Sequence, residues 1–205
     1  MIIEKLELMP FGTNCYIVGD ESTNEAMVID PGTSGREIID KIDNIGMDIK
    51  LIVLTHGHPD HIGALKDVKD ATGAPIAIHP EDAMYIEGGR SGGFGFPQQP
   101  PMKPDRLLNG GDSVDIGNLH FLVIHTPGHT QGGICLYGEG VVFTGDTLFR
   151  FSIGRYDMPG GNGRQLLDNI ATKLMILPED TIAYPGHGPE TTIGAEKKAN
   201  PFLNM

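Results

Sequence analysis

The sequence predicts an α/β protein in which two β-sheets are sandwiched between helices, as a four-layer αββα arrangement. Apolar runs typical of buried strands alternate with amphipathic helical segments in two βαβ-like halves. In the second half, strands also follow one another in quick succession with Gly-containing turns between them, as in hairpins. The chain has 205 residues, enough for one domain that buries roughly 70% of its unfolded surface. We therefore expect a single domain over residues 1–205.

The N-terminal half is predicted from apolar spacing and from turn residues. Ser34 is a candidate N-cap with Glu37 three residues later, and Gly46 can end the helix that they begin. The continuous apolar run 51–54 is typical of a strand buried on both faces. In chain order the predicted elements are a hairpin at 15–18 and 26–29, a helix at 34–45, a strand at 51–54, a helix at 59–71, a strand at 76–78 and a short helix from residue 81.

A Gly- and Pro-rich segment at 88–104 separates the two halves. Its Phe94 and Phe96 allow two interpretations, a lid over a bound tail or an irregular surface or oligomer-contact loop. The elements predicted after it are strands at 119–124, 134–136 and 141–143, a helix at 165–177, a strand at 181–184 and a C-terminal helix at 193–198.

Composition argues against several classes of protein. The 27 acidic side chains outnumber the 15 basic ones, and a net charge of −12 opposes nucleic-acid binding. No apolar run approaches the ~20 residues of a membrane helix, and the first residues do not resemble a signal peptide, so we expect a cytoplasmic protein without membrane contact. Cys15 and Cys135 lie in apolar stretches and are expected to be buried, inert thiols. The sequence does not predict an oligomeric state.

A cluster of potential metal ligands follows the buried run 51–54. The segment His56-Gly57-His58-Pro59-Asp60-His61 places three imidazoles and a carboxylate within six residues, a pattern expected by chance in roughly one such chain per thousand. Residues i and i+2 of an extended segment point the same way, so His56 and His58 can bind one ion. Pro59 can open a helix that turns Asp60 and His61 towards a second ion. The spacing suits two adjacent metals.

Further donors are expected beyond the ends of other strands, because a tetrahedral ion needs about four ligands. Three apolar runs each end in a turn that is followed by a His or Asp, and the 29 glycines of the chain are partly explained by these turns. The donors found this way are His129, Asp146 and His187. The remaining histidines, His79, His120 and His125, are expected to be ordinary hydrogen-bonded or exposed residues.

These motifs resemble those of the metallo-β-lactamase superfamily, with H-x-H-x-D-H at 56–61 followed by HTPGHT, TGDT and PGHG. The resemblance implies the metallo-β-lactamase fold and two metal ions that share a bridging carboxylate. One ion would be bound by His56, His58 and His129 and the other by Asp60, His61 and His187, with Asp146 bridging both and Asp30 behind the ligands.

Within the superfamily, the segments SIGR and DMPGG after Asp146 resemble short bacterial members of the glyoxalase II, or hydroxyacylglutathione hydrolase, branch. Full-length glyoxalase II has a C-terminal helical domain that helps to hold glutathione, whereas only 18 residues follow His187 here. The thiol carrier therefore stays open. Arg155 occupies the position of a basic residue near the glutathione moiety, which implies a substrate contact; an arginine that only anchors its loop is the alternative.

The resemblance implies a hydrolase of acyl thioesters such as S-lactoylglutathione. Two divalent ions, zinc above all but also iron or manganese, would lower the pKa of a bridging water towards ~7, and the resulting hydroxide would attack the carbonyl. A thiolate with a pKa near ~8.5 leaves without a general acid. Asp60 would ligate and also accept a proton or orient the water.

Two other functions stay open. Persulfide dioxygenases have a similar ligand set and bind one iron through two His and one Asp, which here would be His56, His129 and Asp146. A non-catalytic module that uses the metal site to bind a ligand is the second alternative.

Overall fold

Within residues 1–89 and 98–203, which the computed structural model describes, the chain forms two six-stranded sheets and a small two-stranded sheet. The N-terminal half forms the first sheet. Its strands lie side by side in chain order: β1 (Ile2–Leu8), β2 (Thr13–Asp20), β3 (Glu25–Ile29), β4 (Asp48–Val53), β5 (Ile76–Ile78) and β6 (Arg106–Leu107).

The second large sheet has the spatial order β14-β13-β10-β9-β8-β7, and β11 pairs with β12 alone among the described strands. The bounds of these strands are β7 (Ser113–Ile116), β8 (Leu119–His125), β9 (Ile134–Gly138), β10 (Val141–Gly145), β11 (Leu148–Phe149), β12 (Ser152–Ile153), β13 (Ile182–Pro185) and β14 (Thr191–Thr192).

Helices connect the strands of both sheets. The α-helices are α1 (Gly35–Ile45), α2 (Pro59–Ile62), α3 (Leu65–Thr72), α4 (Met84–Glu87), α5 (Gly163–Asn169) and α6 (Ile193–Ala199), with a 3₁₀ turn at Pro80–Asp82 and a π-helical turn at Ile170–Leu174. Among these described helices none is long and apolar enough to cross a membrane.

Three apolar clusters separate the layers. Helices α1 and α3 pack on one face of the first sheet, where Ile52 of β4 is fully buried. Between the sheets, Val53 of β4 packs in one cluster with Phe121 and Phe143. The third cluster packs α5 and α6 on the outer face of the second sheet. Strand β4 is thus buried on both faces, and the predicted αββα sandwich is confirmed.

The parallel pairings place several strand ends at one edge of the sandwich. Strands β3, β4 and β5 run parallel in the first sheet, and β10 and β13 run parallel in the second. Because the carboxyl ends of parallel strands meet at one edge, the turns that follow them lie close together.

Two local predictions need correction. Ser34 occupies the N-cap position of α1, as predicted, but its backbone is left-handed (φ 57°) and its side chain makes no capping hydrogen bond, so no capping box forms with Glu37. Its backbone carbonyl accepts the Glu37 N–H instead, at 2.9 Å. The predicted helix 59–71 is interrupted between α2 and α3. The Ala64 N–H donates to the Pro31 carbonyl (3.0 Å), because the loop that contains Pro31 packs against this point.

Both cysteines are buried and unpaired, as expected, and burial raises the pKa of Cys135 to about 11. Residues 90–97 lie outside the described part of the chain. The two interpretations of the 88–104 segment, which depend on Phe94 and Phe96, therefore stay predictions.

Candidate metal centre

All seven predicted donors meet where strands from both sheets end. Four follow β4, two of them in the turn and two in α2, and one donor each follows β8, β10 and β13. Most are buried, and the most exposed still keeps about two thirds of its side chain covered. They are His56, His58, Asp60, His61, His129, Asp146 and His187.

The first group consists of His56, His58 and His129, whose candidate ligand atoms all lie within 4.8 Å of one another. His58 Nδ1 is 2.8 Å from His129 Nε2. Burial and the neighbouring histidines hold the pKa of His56 well below its usual range, and burial lowers that of His58 to about 4. Both rings are therefore neutral at pH 7, with lone pairs available for an ion.

The second group consists of Asp60, His61 and His187, again with ligand atoms within 4.8 Å of one another. Asp60 Oδ2 is 3.1 Å from His187 Nε2, which is 3.3 Å from His61 Nε2. Burial raises the pKa of Asp60, but the adjacent His187 and the charge of His61 outweigh burial and hold that pKa below its usual range. The carboxyl group is therefore ionised at neutral pH and available as a ligand.

Asp146 lies between the two groups. Its Oδ2 is 3.5 Å from His129 Nε2 and 3.7 Å from His187 Nε2, and its Oδ1 is 3.3 Å from His61 Nε2. Burial raises the pKa of its carboxyl group, but the charge and hydrogen bond of His61, together with the charges of His187 and His129, outweigh burial and hold that pKa below its usual range. A carboxylate in this place can contact ions in both groups.

Asp30 lies beside His61, and both of its carboxylate oxygens accept hydrogen bonds. Its Oδ1 accepts the Thr55 N–H (2.7 Å), and its Oδ2 accepts from the Thr55 hydroxyl (2.5 Å) and from His61 Nδ1 (2.8 Å). Ligand atoms of Asp30, His56 and His61 also lie within 4.8 Å of one another. Because its oxygens already accept these bonds, Asp30 is better placed to orient His61 than to bind an ion.

Backbone carbonyls orient two other imidazoles. His129 Nδ1 donates to the Arg155 carbonyl at 2.7 Å, and His187 Nδ1 donates to the Gly12 carbonyl at 3.2 Å. A carbonyl can only accept, so in both rings Nδ1 carries the proton and Nε2 keeps its lone pair towards the centre.

A cavity of about 520 Å³ opens above the donors. Metal-ligand candidates form part of its lining, and apolar side chains form much of the rest: Phe11, Phe149, Ile153 and Met158. Sequence reasoning missed these apolar residues. Phe11 lies in the turn between β1 and β2, and the antiparallel bridge between Thr13 and His187 helps to bring that turn to the centre.

Arg155 lines the same cavity, and its guanidinium is paired with Asp157. Nε donates to Asp157 Oδ1 (2.8 Å) and Nη2 donates to Oδ2 (3.0 Å), while both side chains stay mostly exposed. The structure therefore combines features of both interpretations of this residue, a cavity lining and an anchored side chain.

The other histidines take no part in these groups of described residues. His120 is exposed and pairs with Asp115 (2.8 Å), and His79 stacks on His125 with ring centroids 3.9 Å apart. They behave as the ordinary histidines that the sequence predicts.

Residues 8–187 match a family model described as the metallo-β-lactamase superfamily. The chain is 39% identical to hydroxyacylglutathione hydrolase GloC of Haemophilus influenzae, with 100% of this chain and 99% of that protein covered. It is similar to the crystal structure of BLEG-1 B3 metallo-β-lactamase (TM-score 0.92, 38% identity, 100% of both chains). It is also similar to that of TTHA1623 in a di-iron-bound form (TM-score 0.87, 36% identity, 98% of this chain and 100% of that chain).

Proposed function

The chain belongs to the metallo-β-lactamase superfamily, whose members bind divalent metals, and from that membership we propose that it is a dinuclear hydrolase of acyl thioesters of the S-lactoylglutathione type. One observation carries the proposal: two groups of three donors flank a single carboxylate, that of Asp146, at the floor of a largely apolar cavity.

The donors fit a pair of divalent ions. His56 Nε2 is buried without a hydrogen-bond partner among the described residues, a costly arrangement unless an ion uses its lone pair. One ion would be held by His56, His58 and His129 and the other by Asp60, His61 and His187, with Asp146 touching both. We propose zinc; nitrogen and oxygen donors also suit iron or manganese, and TTHA1623 holds two irons.

Ions bound there supply Lewis-acid activation of a water and of the substrate carbonyl. Asp60 lies at the edge of the cavity, where its Oδ2 accepts a hydrogen bond from Thr13 Oγ1 (3.2 Å) and lies 3.1 Å from His187 Nε2. We assign to Asp60 the acceptance or orientation of a proton of the attacking water, in addition to its ligand role.

The leaving group matches the rest of the lining. Apart from the candidate metal ligands, the described cavity lining contains no Lys, Tyr or Cys that could protonate an amine. A thiolate departs without such an acid because its conjugate pKa is near ~8.5. Phe11, Phe149 and Met158 give the wall apolar area for the acyl group or the carrier, and Arg155 offers a charge near the cavity mouth.

The relative's name supports this choice. GloC, named a hydroxyacylglutathione hydrolase, is covered over 99% of its length by this chain. Because the two chains align over nearly their whole lengths, we propose glutathione as the first carrier to test.

The test is metal analysis coupled to a substrate panel, with protein purified without chelator. The panel contains acyl thioesters of glutathione, bacillithiol and coenzyme A, a chromogenic β-lactam because of BLEG-1, and glutathione persulfide with oxygen uptake recorded. We expect close to two ions per chain, thioester hydrolysis, and loss of both the activity and one ion on His58→Ala. The matched control is His120→Ala, an exposed histidine outside the centre, which keeps activity.

Other results would contradict the proposal. One iron per chain with oxygen uptake on the persulfide would indicate a dioxygenase that uses His56, His129 and Asp146. Turnover of the β-lactam alone would indicate a lactamase. Metal binding without turnover of any compound would indicate a ligand-binding module.

A further inference from the structure

Asp82 is a fully buried carboxylate that the proposed reaction does not use. It ends the 3₁₀ turn at Pro80–Asp82, directly after β5, and no candidate metal group of described residues includes it. A buried carboxylate is unfavourable unless its oxygens are hydrogen-bonded, so its partners indicate its role.

Each oxygen of Asp82 accepts a hydrogen bond from a different ligand-bearing loop. Oδ2 accepts the Gly57 N–H at 2.9 Å, and Gly57 lies between His56 and His58. Oδ1 accepts the Gly132 N–H at 2.7 Å, three residues after His129. One side chain therefore joins the two loops that carry the first donor group.

The contact is too close for any side chain at the two glycines. A Cβ at Gly57 would lie 2.4 Å from the ring of Tyr85, and a Cβ at Gly132 would lie 2.6 Å from Asp82 N. The Tyr85 ring also packs edge-on against His58, with centroids 6.0 Å apart. Both loops thus rest directly on the segment that contains Asp82 and Tyr85.

The second donor group depends on other partners. Asp60 accepts from Thr13, His61 is oriented by Asp30, and His187 by the Gly12 carbonyl. None of these hydrogen bonds involves Asp82. The two groups therefore differ in what holds them.

We propose that Asp82 is a positioning residue that sets the separation of the 56–58 and 129–132 loops and thereby the affinity of the first group for its ion. Removing one of its hydrogen bonds lets His129 move relative to His58, whose ring nitrogens are now 2.8 Å apart. The second group keeps its geometry. This inference rests on the proposed assignment of His56, His58 and His129 to one ion, and its test needs no thioester turnover.

The test is Asp82→Asn, which keeps the side-chain shape but replaces one accepting oxygen with an NH₂ group. Because this NH₂ group faces a backbone N–H, one of the two hydrogen bonds is lost. Chelator-stripped protein is titrated with Zn²⁺ against a chromophoric chelator to obtain two dissociation constants. We expect the constant of the first group to rise about 10- to 100-fold, the range for partners that orient ligands, and the other constant to stay unchanged. His58→Ala and His187→Ala assign the constants, since each removes a ligand of one group only.

The control is Asp20→Asn at the far end of β2. Asp20 is also buried and also accepts from two backbone amides, those of Ser22 (2.9 Å) and Asn118 (2.8 Å). Its loss is expected to lower the melting temperature without changing either Zn²⁺ constant. A second test variant, Gly132→Ala, places a methyl group between the 129–132 loop and Asp82 and so disrupts the same contact. It is expected to weaken Zn²⁺ binding by the first group alone, even if Asp82→Asn does not fold.

Two results would overturn the inference. Equal changes in both constants, or a lower melting temperature with neither constant changed, would make Asp82 a general structural residue like Asp20. If His58→Ala and His187→Ala do not each weaken a different constant, the assignment of the ions is itself wrong. A failure of thioester hydrolysis with these constants intact would instead reject only the proposed substrate.

Discussion

The Nδ1–H of His129 donates to the backbone carbonyl of Arg155 at 2.7 Å. A candidate metal ligand and a residue of the cavity wall are therefore joined by one hydrogen bond. Gly154, directly before Arg155, lies against the loop of Asp146, so a displacement of this segment reaches two of the seven donors. The cavity wall and the arrangement of the candidate metal ligands are coupled at this point.

Gly154→Ala is expected to disrupt the metal centre. A Cβ at this position would lie 1.7 Å from the Asp146 carbonyl oxygen and 3.4 Å from His129 Nδ1, so the backbone must shift. We expect lower zinc stoichiometry and at least tenfold lower activity, measured by metal analysis and steady-state kinetics. The control is Gly160→Ala, where the added Cβ would meet no described atom within 4 Å and only its φ of +88° is unfavourable. Unchanged zinc content in Gly154→Ala would contradict the coupling.

Arg155→Ala is expected to raise the KM for an acyl glutathione about tenfold, or ~1.4 kcal/mol, with kcat little changed, because the guanidinium would bind the carrier and not the reacting carbonyl. The melting temperature should not move, since the exposed pair with Asp157 contributes little stability. Arg36→Ala removes a comparable exposed pair with Asp40 on α1 and serves as the control. Equal KM values for the two variants would make Arg155 only a loop anchor.

Removing metal is expected to lower stability. Without an ion, His56 Nε2 is buried with no hydrogen-bond partner in the described chain, which is unfavourable. When an ion is added back at a free concentration of 100 times its dissociation constant, its binding should add about 2.7 kcal/mol to the free energy of unfolding. Chelator-treated protein with and without added Zn²⁺, compared by denaturant unfolding, measures this difference. Mg²⁺, which prefers oxygen ligands, should not replace Zn²⁺; unchanged stability after chelation would argue against the site.

The stabilising effect of Asp20 is expected to depend on pH. Hydrogen bonds from Ser22 and Asn118 hold the pKa of its carboxyl group below the usual range. Because the pKa is lower in the folded state, the ionised carboxylate stabilises the fold at pH values above its unfolded pKa of ~3.9. This stabilisation is lost as the pH falls towards the folded-state pKa. The difference in unfolding free energy between wild type and Asp20→Asn should therefore be constant from about pH 7 to 5 and shrink below about pH 4. Denaturant titrations at each pH test this, and a difference that grows on acidification would refute the cause given.

The donor set was accessible to sequence reasoning because its signals are local. His56, His58, Asp60 and His61 follow one apolar strand, and each later donor follows another run that ends in a turn. Strand ends in a layered fold converge whatever their distance along the chain. The sandwich and the seven side chains at its edge follow from that rule.

Tertiary contacts decided the features that the sequence did not predict. The helix break after α2 arises because Gly32 and Gly63 pack backbone to backbone: a Cβ at Gly63 would lie 2.4 Å from the Gly32 carbonyl oxygen. Phe11 and Gly12 join the site through long-range contacts of their turn, namely the pairing of Thr13 with His187 and the hydrogen bond from His187 to the Gly12 carbonyl. Asp82 lies 21 residues beyond His61 with no motif around it, and only its two glycine partners reveal it.

The donors come from both sheets, and this origin has a consequence for how the chain stays folded. His58 and His129 are 71 positions apart, and His61 and His187 are 126 apart. An ion shared by such distant residues closes a long loop, as a disulfide would; the chain-entropy model assigns about 4.7 kcal/mol to a disulfide that closes about 100 residues. Cys15 and Cys135 are unpaired thiols. Bound metal would thus act as a reversible crosslink between the halves, and metal supply would govern their resistance to proteolysis.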